Sequence, residues 1–548
     1  MMKTMVIILV LCLSILPVGG CHLLTRIQDL AEEQKTEGEI QKNDQIAVMA
    51  TSMPTMEYAF ERSAAEALMG GYYYEDEYNT EEYAALKENG FQSVATSPLS
   101  TFSADVDTAS YCNLRRMIYQ GYTAEEIPNG AVRIEEMLNY FRYDHVSPGE
   151  GEPFAVTSRI APCPWHAGHM LLWLGVVSRE AERSVYGSNL VFLVDVSGSM
   201  ASENKLGLLQ ESLSMLVDQL GENDSVSIVT YASEERIIVE GANPIRNRSE
   251  LLSAIDGLRA GGSTAGERGL LQAYEVAQRC LRPGGNNRII LCSDGDLNVG
   301  ISSSSELKEL VSEKRETGIY LSVLGFGDGN YKDEKMETIA DAGNGNYYYI
   351  DSKLESQKVL CEELTQTLFT VADDVKFQVE FNPAYVAAYR QVGYENRQLD
   401  DAEFDDDTKD AGEVGSGAML TVMYELIPSD AEDAPGNALK YQEMIRTERS
   451  ESDEWLTVSI RYKEPGTEES VLKTFTAGKD NVTEKVSGDL AFACAVAEFG
   501  MILGESEYMG DTDYSSVLGL LKEADLNDAY KEEFFSLVKI IERGEKLN

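Results

Sequence analysis

Asp195, Ser197 and Ser199 stand at alternate positions of the run Asp195-Val196-Ser197-Gly198-Ser199, and each side chain ends in oxygen. Two more oxygen-bearing pieces lie downstream, Gly261-Gly262-Ser263-Thr264 and Asp294-Gly295. Asp195, Asp294, Ser197, Ser199 and Thr264 together offer carboxylates and hydroxyls, with no imidazole or thiolate among them. Such a set suits a hard divalent cation in octahedral geometry, Mg²⁺ with Mn²⁺ as a substitute. The alternate spacing lets one tight loop aim three side chains at one centre, and Gly198 permits the bend. Hydroxyl ligands are neutral, so the cation keeps much of its charge, and one position stays open for a carboxylate of a partner. This is capture chemistry and needs neither base nor nucleophile.

Other chemistries fit the chain less well. Ser197-Gly198-Ser199 is not a GxSxG elbow, and no histidine follows in this part of the chain to act as base. Asp195 lacks the second aspartate of a DxD phosphotransferase, and there is no P-loop, so neither an enzyme nor a nucleotide site is expected. Gly284-Gly285 and Gly325-Phe326-Gly327 read as ordinary turns. His166 and His169 are spaced like metal ligands, but no acidic helix accompanies them and they read as a loop pair without a metal. Asp105 and Asp107 read as solvated or capping residues. The run Asp400, Asp401, Asp405, Asp406, Asp407, Asp410 lacks the glycine and terminal glutamate of an EF-hand loop and reads as a solvated acidic loop.

The elements around the five oxygen ligands are strongly patterned. Leu190 to Val196, Val226 to Tyr231, Arg288 to Cys292 and Ile319 to Leu324 are strand-like runs. Between them, Leu206, Leu209, Leu213, Val217 and Leu220 form one helical stripe, and Leu270, Tyr274, Ala277 and Leu281 another. Continuous apolar strands alternating with amphipathic helices predict an α/β domain, a doubly wound, mostly parallel sheet covered on both faces. In such a sheet, ligands collect outside the carboxyl ends of the strands at the switch point. Asp195 and Asp294 follow strands and Thr264 precedes a helix, so all three pieces can meet at that edge.

These pieces resemble the metal-ion-dependent adhesion site, or MIDAS, of von Willebrand factor type A domains, the DxSxS…T…D pattern. The resemblance implies that Ser197, Ser199 and Thr264 reach the metal by hydroxyl, and that Asp195 and Asp294 anchor it, one or both through water. Asp294 follows serine here where many relatives have threonine. Flanking motifs extend the likeness. Pro98 to Tyr111, Arg133 to Phe141 and Ala161 to Trp165 resemble the N-terminal domain of a bacterial lipoprotein family containing this module. Phe381-Asn382-Pro383, Tyr394 to Arg397, Asp410 to Glu413 and Arg461-Tyr462-Lys463 resemble its C-terminal domain. The likeness covers residues 82 to 545, with Gly90 in Glu88-Asn89-Gly90-Phe91 standing where relatives often have proline.

Composition bounds the partners. Of 548 residues, 43% are hydrophobic and 25% charged, as in a globular protein with real cores. A formal net charge of −47 argues against nucleic acid, which demands a basic face, and against adsorption to anionic lipid. At the N-terminus, Lys3 precedes an apolar run from Met5 to Leu16, and Gly19-Gly20 stands directly before Cys21. The run fits a secretory h-region. The end of the segment resembles a lipobox, which implies cleavage before Cys21 and lipidation of its thiol; the alternative is an ordinary signal peptide with an incidental cysteine. Cys112, Cys163, Cys280, Cys292, Cys361 and Cys494 are dispersed and read as free thiols, although an extracytoplasmic chain also permits disulfides.

The expected organisation is a lipoprotein signal peptide (residues 1–20), an acidic flexible tether (21–85), an N-terminal α+β region (86–185), the von Willebrand factor A, Rossmann-like domain (186–370) and a C-terminal β-plus-helix domain (371–548). The expected function is a non-enzymatic, extracytoplasmic binding protein. It is held at the cell membrane through lipid on Cys21 and captures an acidic group of a protein partner by metal. The alternative is an envelope scaffold in which the metal is only structural.

Overall fold

The computed structural model describes Tyr83 and residues 87–104, 106–180, 186–263, 266–295, 304–327, 333–363, 366, 369–409, 411–435 and 446–544. The signal-like segment with Cys21, the tether apart from Tyr83, Asp105, Thr264 and Asp410 lie outside the described residues.

Before the α/β domain the chain forms β1 (Gln92–Ser93), β2 (Leu99–Ser103), α1 (Ala109–Tyr119), α2 (Ile134–Asn139), β3 (Phe154–Pro162) and β4 (Met170–Ser178). The α/β domain itself runs through β5 (Ser188–Asp195), α3 (Leu208–Gln219), β6 (Ser225–Tyr231), β7 (Glu235–Ala242), α4 (Arg248–Asp256) and α5 (Gly266–Arg279). It continues with β8 (Asn286–Ser293), α6 (Ser304–Arg315), β9 (Tyr320–Phe326), α7 (Asp333–Ala342), β10 (Tyr347–Ile350) and α8 (Lys353–Gln357). Its sheet has the order β10-β9-β8-β5-β6-β7, parallel except for the antiparallel edge strand β7. This is the doubly wound, mostly parallel sheet expected. Alternation along β5 sends Leu190, Phe192 and Val194 into one core and Val191 and Leu193 into another, so both faces are covered. The stripe of Leu209, Leu213 and Val217 on α3 fills the first face, and Leu270, Tyr274 and Ala277 on α5 the second.

After the α/β domain come β11 (Thr370–Phe381), β12 (Val386–Val392), β13 (Gly412–Gly415), β14 (Met419–Pro428), β15 (Glu454–Lys463) and β16 (Ser470–Gly478). The helices α9 (Asp489–Leu503), α10 (Tyr514–Glu523) and α11 (Ala529–Arg543) follow. Strands from before and after the α/β domain are hydrogen-bonded in common sheets. One sheet runs β1-β12-β14-β4-β3; the other runs β13-β11-β15-β16, with β2 also paired to β11. Residues 86–185 and 371–548, separate stretches of sequence, therefore share two sheets. The two sheets share a core, Leu172 and Leu174 from the first meeting Phe377, Val379, Val458 and Ile460 from the second. The helices add an aromatic cluster, with Phe141 4.8 Å from Phe492 and Phe492 5.5 Å from Phe534. All six described cysteines are free, and Cys112, Cys163, Cys292 and Cys494 are buried.

Glu498 on α9 is buried, and its Oε2 accepts a hydrogen bond from Ser516 Oγ at 2.7 Å. Burial pushes its carboxyl up to about 7; Ser516 opposes the rise and Asp513 adds to it. The folded chain therefore holds this proton to higher pH than the unfolded chain, whose carboxyl has the ordinary value of 4.5. Its contribution to stability is full below that value and is lost as pH rises to about 7. Chemical denaturation should find Glu498→Gln more stable than the parent at pH 8, by an upper bound of about 3 kcal/mol, and level with it at pH 4.

Candidate metal centre

The chain reverses direction across the sheet between β5, which continues to β6 on one side, and β8, which continues to β9 on the other. The carboxyl ends of these two adjacent parallel strands frame the crevice where α/β sheets bind ligands. Asp195 ends β5, and Asp294 follows directly after β8. Both are almost fully buried, at 0% and 2% exposure.

Asp195 Oδ1 accepts the Ser197 N–H at 2.8 Å, and its Oδ2 accepts Ser293 Oγ at 3.4 Å. The hydroxyls of Ser197 and Ser199 lie 2.9 Å apart. Two backbone bonds clamp this loop to the glycine-rich one: Gly198 N–H to Gly262 O at 3.0 Å, and Gly261 N–H to Val196 O at 2.8 Å. Gly262 makes the approach possible, because its φ is +91° and a Cβ there would sit 2.6 Å from Ser233 Oγ. Of the five predicted ligands, Asp195, Ser197, Ser199 and Asp294 are at this edge. Thr264 lies outside the described residues, one position beyond Ser263, which is.

Burial pushes the Asp195 carboxyl up to about 6; the Ser197 donors pull it down and the neighbouring Asp294 adds to the rise. A carboxylate so poorly solvated gains most from a nearby cation. The donor set, two buried carboxylates beside paired hydroxyls, fits a hard divalent ion.

One participant was invisible in the helical stripe that begins at Leu206. Lys205, only 6% exposed, donates from Nζ to Asp294 Oδ2 at 3.1 Å. Gly327 gives it passage: φ there is +80°, and a Cβ would run into the Lys205 side chain. Gly325 and Phe326, read from sequence as part of a turn, instead end β9, and Gly327 directly after them has a packing role at the site. The only sequence signal for Lys205 was a charge at the edge of an apolar stripe. Beside the glycine-rich loop, Val196, Ser233, Arg236, Arg259 and Gly261 line a cavity of about 580 Å³.

Three family profiles match consecutive stretches of the chain: von Willebrand factor over residues 77–173, von Willebrand factor type A domain over 189–365, and "Uncharacterized protein YfbK, C-terminal" over 366–543. The protein YfbK of Escherichia coli (strain K12) is 40% identical over 474 residues, spanning 84% of this chain and 81% of that one. The chain belongs to the YfbK family of bacterial von Willebrand factor type A proteins. Inter-alpha-trypsin inhibitor heavy chain H4 of Bos taurus is 27% identical over 179 residues, 31% of this chain and 19% of that protein. A solved von Willebrand factor type A protein from Catenulispora acidiphila is similar over 73% of this chain and 91% of its own, at 16% identity and a TM-score of 0.39. Domains of the von Willebrand factor type A kind are typically non-enzymatic modules that bind protein partners.

Proposed function

We propose that this YfbK relative is a non-enzymatic binding protein anchored at the cell envelope. In this reading Asp195, Ser197, Ser199, Thr264 and Asp294 hold Mg²⁺, with Mn²⁺ as a substitute, and the metal is offered to a carboxylate of a protein partner. The observation that carries the reading is the clamp of the Asp195–Ser199 loop onto the Gly261–Gly262 loop at the switch point of the sheet. When bound, the metal supplies a Lewis-acidic position for an acidic group. Asp195 and Asp294 supply the negative charge, and the serine hydroxyls ligate without neutralising it further. Lys205 holds Asp294 in place and offsets part of its charge. Arg259 and Arg236, the latter 3.3 Å from Glu234 on the same wall, line the adjacent cavity and offer cationic contacts to an acidic partner.

Cys21, lipidated after cleavage of residues 1–20, is the proposed anchor. Among the described residues no helix is long and apolar enough to cross a membrane. Cys21→Ser should release the protein from the membrane fraction; retention there would contradict the anchor.

The capture reading is tested with a photo-cross-linking residue at Glu234, which is exposed and lines the cavity. Cross-links formed in intact cells should disappear with EDTA and in Asp195→Ala. Cross-links that survive both treatments would overturn metal-dependent capture and leave the envelope-scaffold role with a structural metal.

A further inference from the structure

A second cluster lies outside the α/β domain, at one end of the sheet containing β3, β4 and β14. The loop 163–169 joins β3 to β4, and the Cys163 N–H closes it on His169 O at 3.0 Å. Met170, at the start of β4, pairs with Leu426 near the end of β14, so the loop after β14 lies beside it. That second loop carries Asp433. His166, His169 and Asp433 each present a ligand atom within 4.8 Å of the other two.

His169 has an acidic partner on each ring nitrogen. Its ring is buried, at 4% exposure, and Nδ1 lies 2.6 Å from Glu425 Oε1. Glu425 already accepts hydrogen bonds at Oε2 from Trp165 Nε1 at 2.9 Å and from an Arg390 guanidinium nitrogen at 3.1 Å. Both donors end on Oε2, which leaves Oε1 to accept from Nδ1 of His169. The other nitrogen, Nε2, lies 2.8 Å from Asp433 Oδ2, a second acceptor. In the neutral tautomer that Glu425 dictates, Nε2 is a lone pair facing the oxygen lone pairs. A cation must reconcile them, either a proton or a metal ion. A carboxylate fixing one imidazole nitrogen while the other meets a metal is the usual outer support of a histidine ligand. The ring of His166 stacks on that of His169, with centroids 3.6 Å apart; being exposed, it has to turn about its own side chain to bring a nitrogen lone pair onto the same ion.

We propose that His166, His169 and Asp433 form a second metal site, built for Zn²⁺ or a neighbouring borderline transition metal. Imidazole and carboxylate together select that class over Mg²⁺. Three protein ligands leave a fourth position for water or an incoming group, and both His166 and Asp433 are exposed, so that position faces solvent. The ion clips the 163–169 loop to the loop after β14. Glu425, Trp165 and Arg390 orient His169 and touch no metal. Chain order explains why the pair alone read as metal-free: its carboxylate is on a distant strand connection.

The test is calorimetric titration of the full chain in the Asp195→Ala background, which removes the first site, with Zn²⁺ as the probe. One equivalent should bind, and Co²⁺ in its place should show ligand-field absorption. His166→Ala and Asp433→Asn change exposed residues outside the cores, so the fold is kept; each should weaken binding at least tenfold. Zn²⁺ binding unchanged in both variants, or an unperturbed Co²⁺ spectrum, would overturn the site and leave a proton as the only bridge between His169 and Asp433.

Discussion

Replacing Arg115 by methionine should destabilise the protein by about 3–5 kcal/mol, the cost of stranding buried charges. Arg115 is 1% exposed on α1. Its Nε donates to Asp351 Oδ2 at 2.8 Å, and Nη2 donates to Glu355 Oε2 at 2.9 Å. Nη1 reaches the Tyr140 hydroxyl at 2.8 Å and Glu533 Oε2 at 3.0 Å. Asp351 and Glu355 belong to the end of the α/β domain and Glu533 to α11, so one guanidinium joins three stretches of the chain. Methionine keeps much of the volume and removes the charge. Adding Asp351→Asn and Glu355→Gln should then recover most of the loss, because the stranded carboxylates are what cost the energy. Chemical denaturation of the single and triple variants measures both effects. A single-variant loss below about 1 kcal/mol would mean that water reaches the network.

Saturating Mg²⁺ should raise the unfolding free energy by about 2.7 kcal/mol at a hundredfold excess over its dissociation constant. Asp195→Ala should abolish that gain. The parent stays folded without metal, since Lys205 already answers Asp294 and the Asp195 oxygens have the Ser197 N–H and the Ser293 hydroxyl. Metal-free Asp195→Ala should lie within about 1 kcal/mol of the parent, because an ill-solvated carboxylate is lost along with its hydrogen bonds. The metal term is thus separable from a folding defect. A gain that persists in Asp195→Ala would assign the stabilising ion to another place.

Much of this architecture was legible where periodicity was strong. The run read as Leu190 to Val196 is Ser188–Asp195, that read as Val226 to Tyr231 is Ser225–Tyr231, and that read as Arg288 to Cys292 is Asn286–Ser293. Edge strand β7 escaped notice because Ile237 and Ile238 are exposed and no alternation survives. The strand β12 escaped because Arg390 and Gln391 are buried, which inverts the usual pattern. The shared sheets were invisible for a deeper reason. Phe102 pairs with Phe377 across the whole α/β insertion, and pairing between distant strands leaves no local period. At the metal centre the spacing of Asp195, Ser197 and Ser199 encodes one loop, so it could be read. Lys205 and Gly327 act through a contact between separate loops, and so does Asp433 beside His169; neither carries a local signature.

The central claim is that a hard divalent ion sits at the edge formed by β5 and β8. Electron paramagnetic resonance of Mn²⁺ added to the full chain in the His166→Ala background tests it most directly. One bound Mn²⁺ per chain is expected, displaced by excess Mg²⁺ and absent when Asp195→Ala is added. A spectrum identical to that of free aqueous Mn²⁺ in the presence of the Asp195-containing protein would contradict the account.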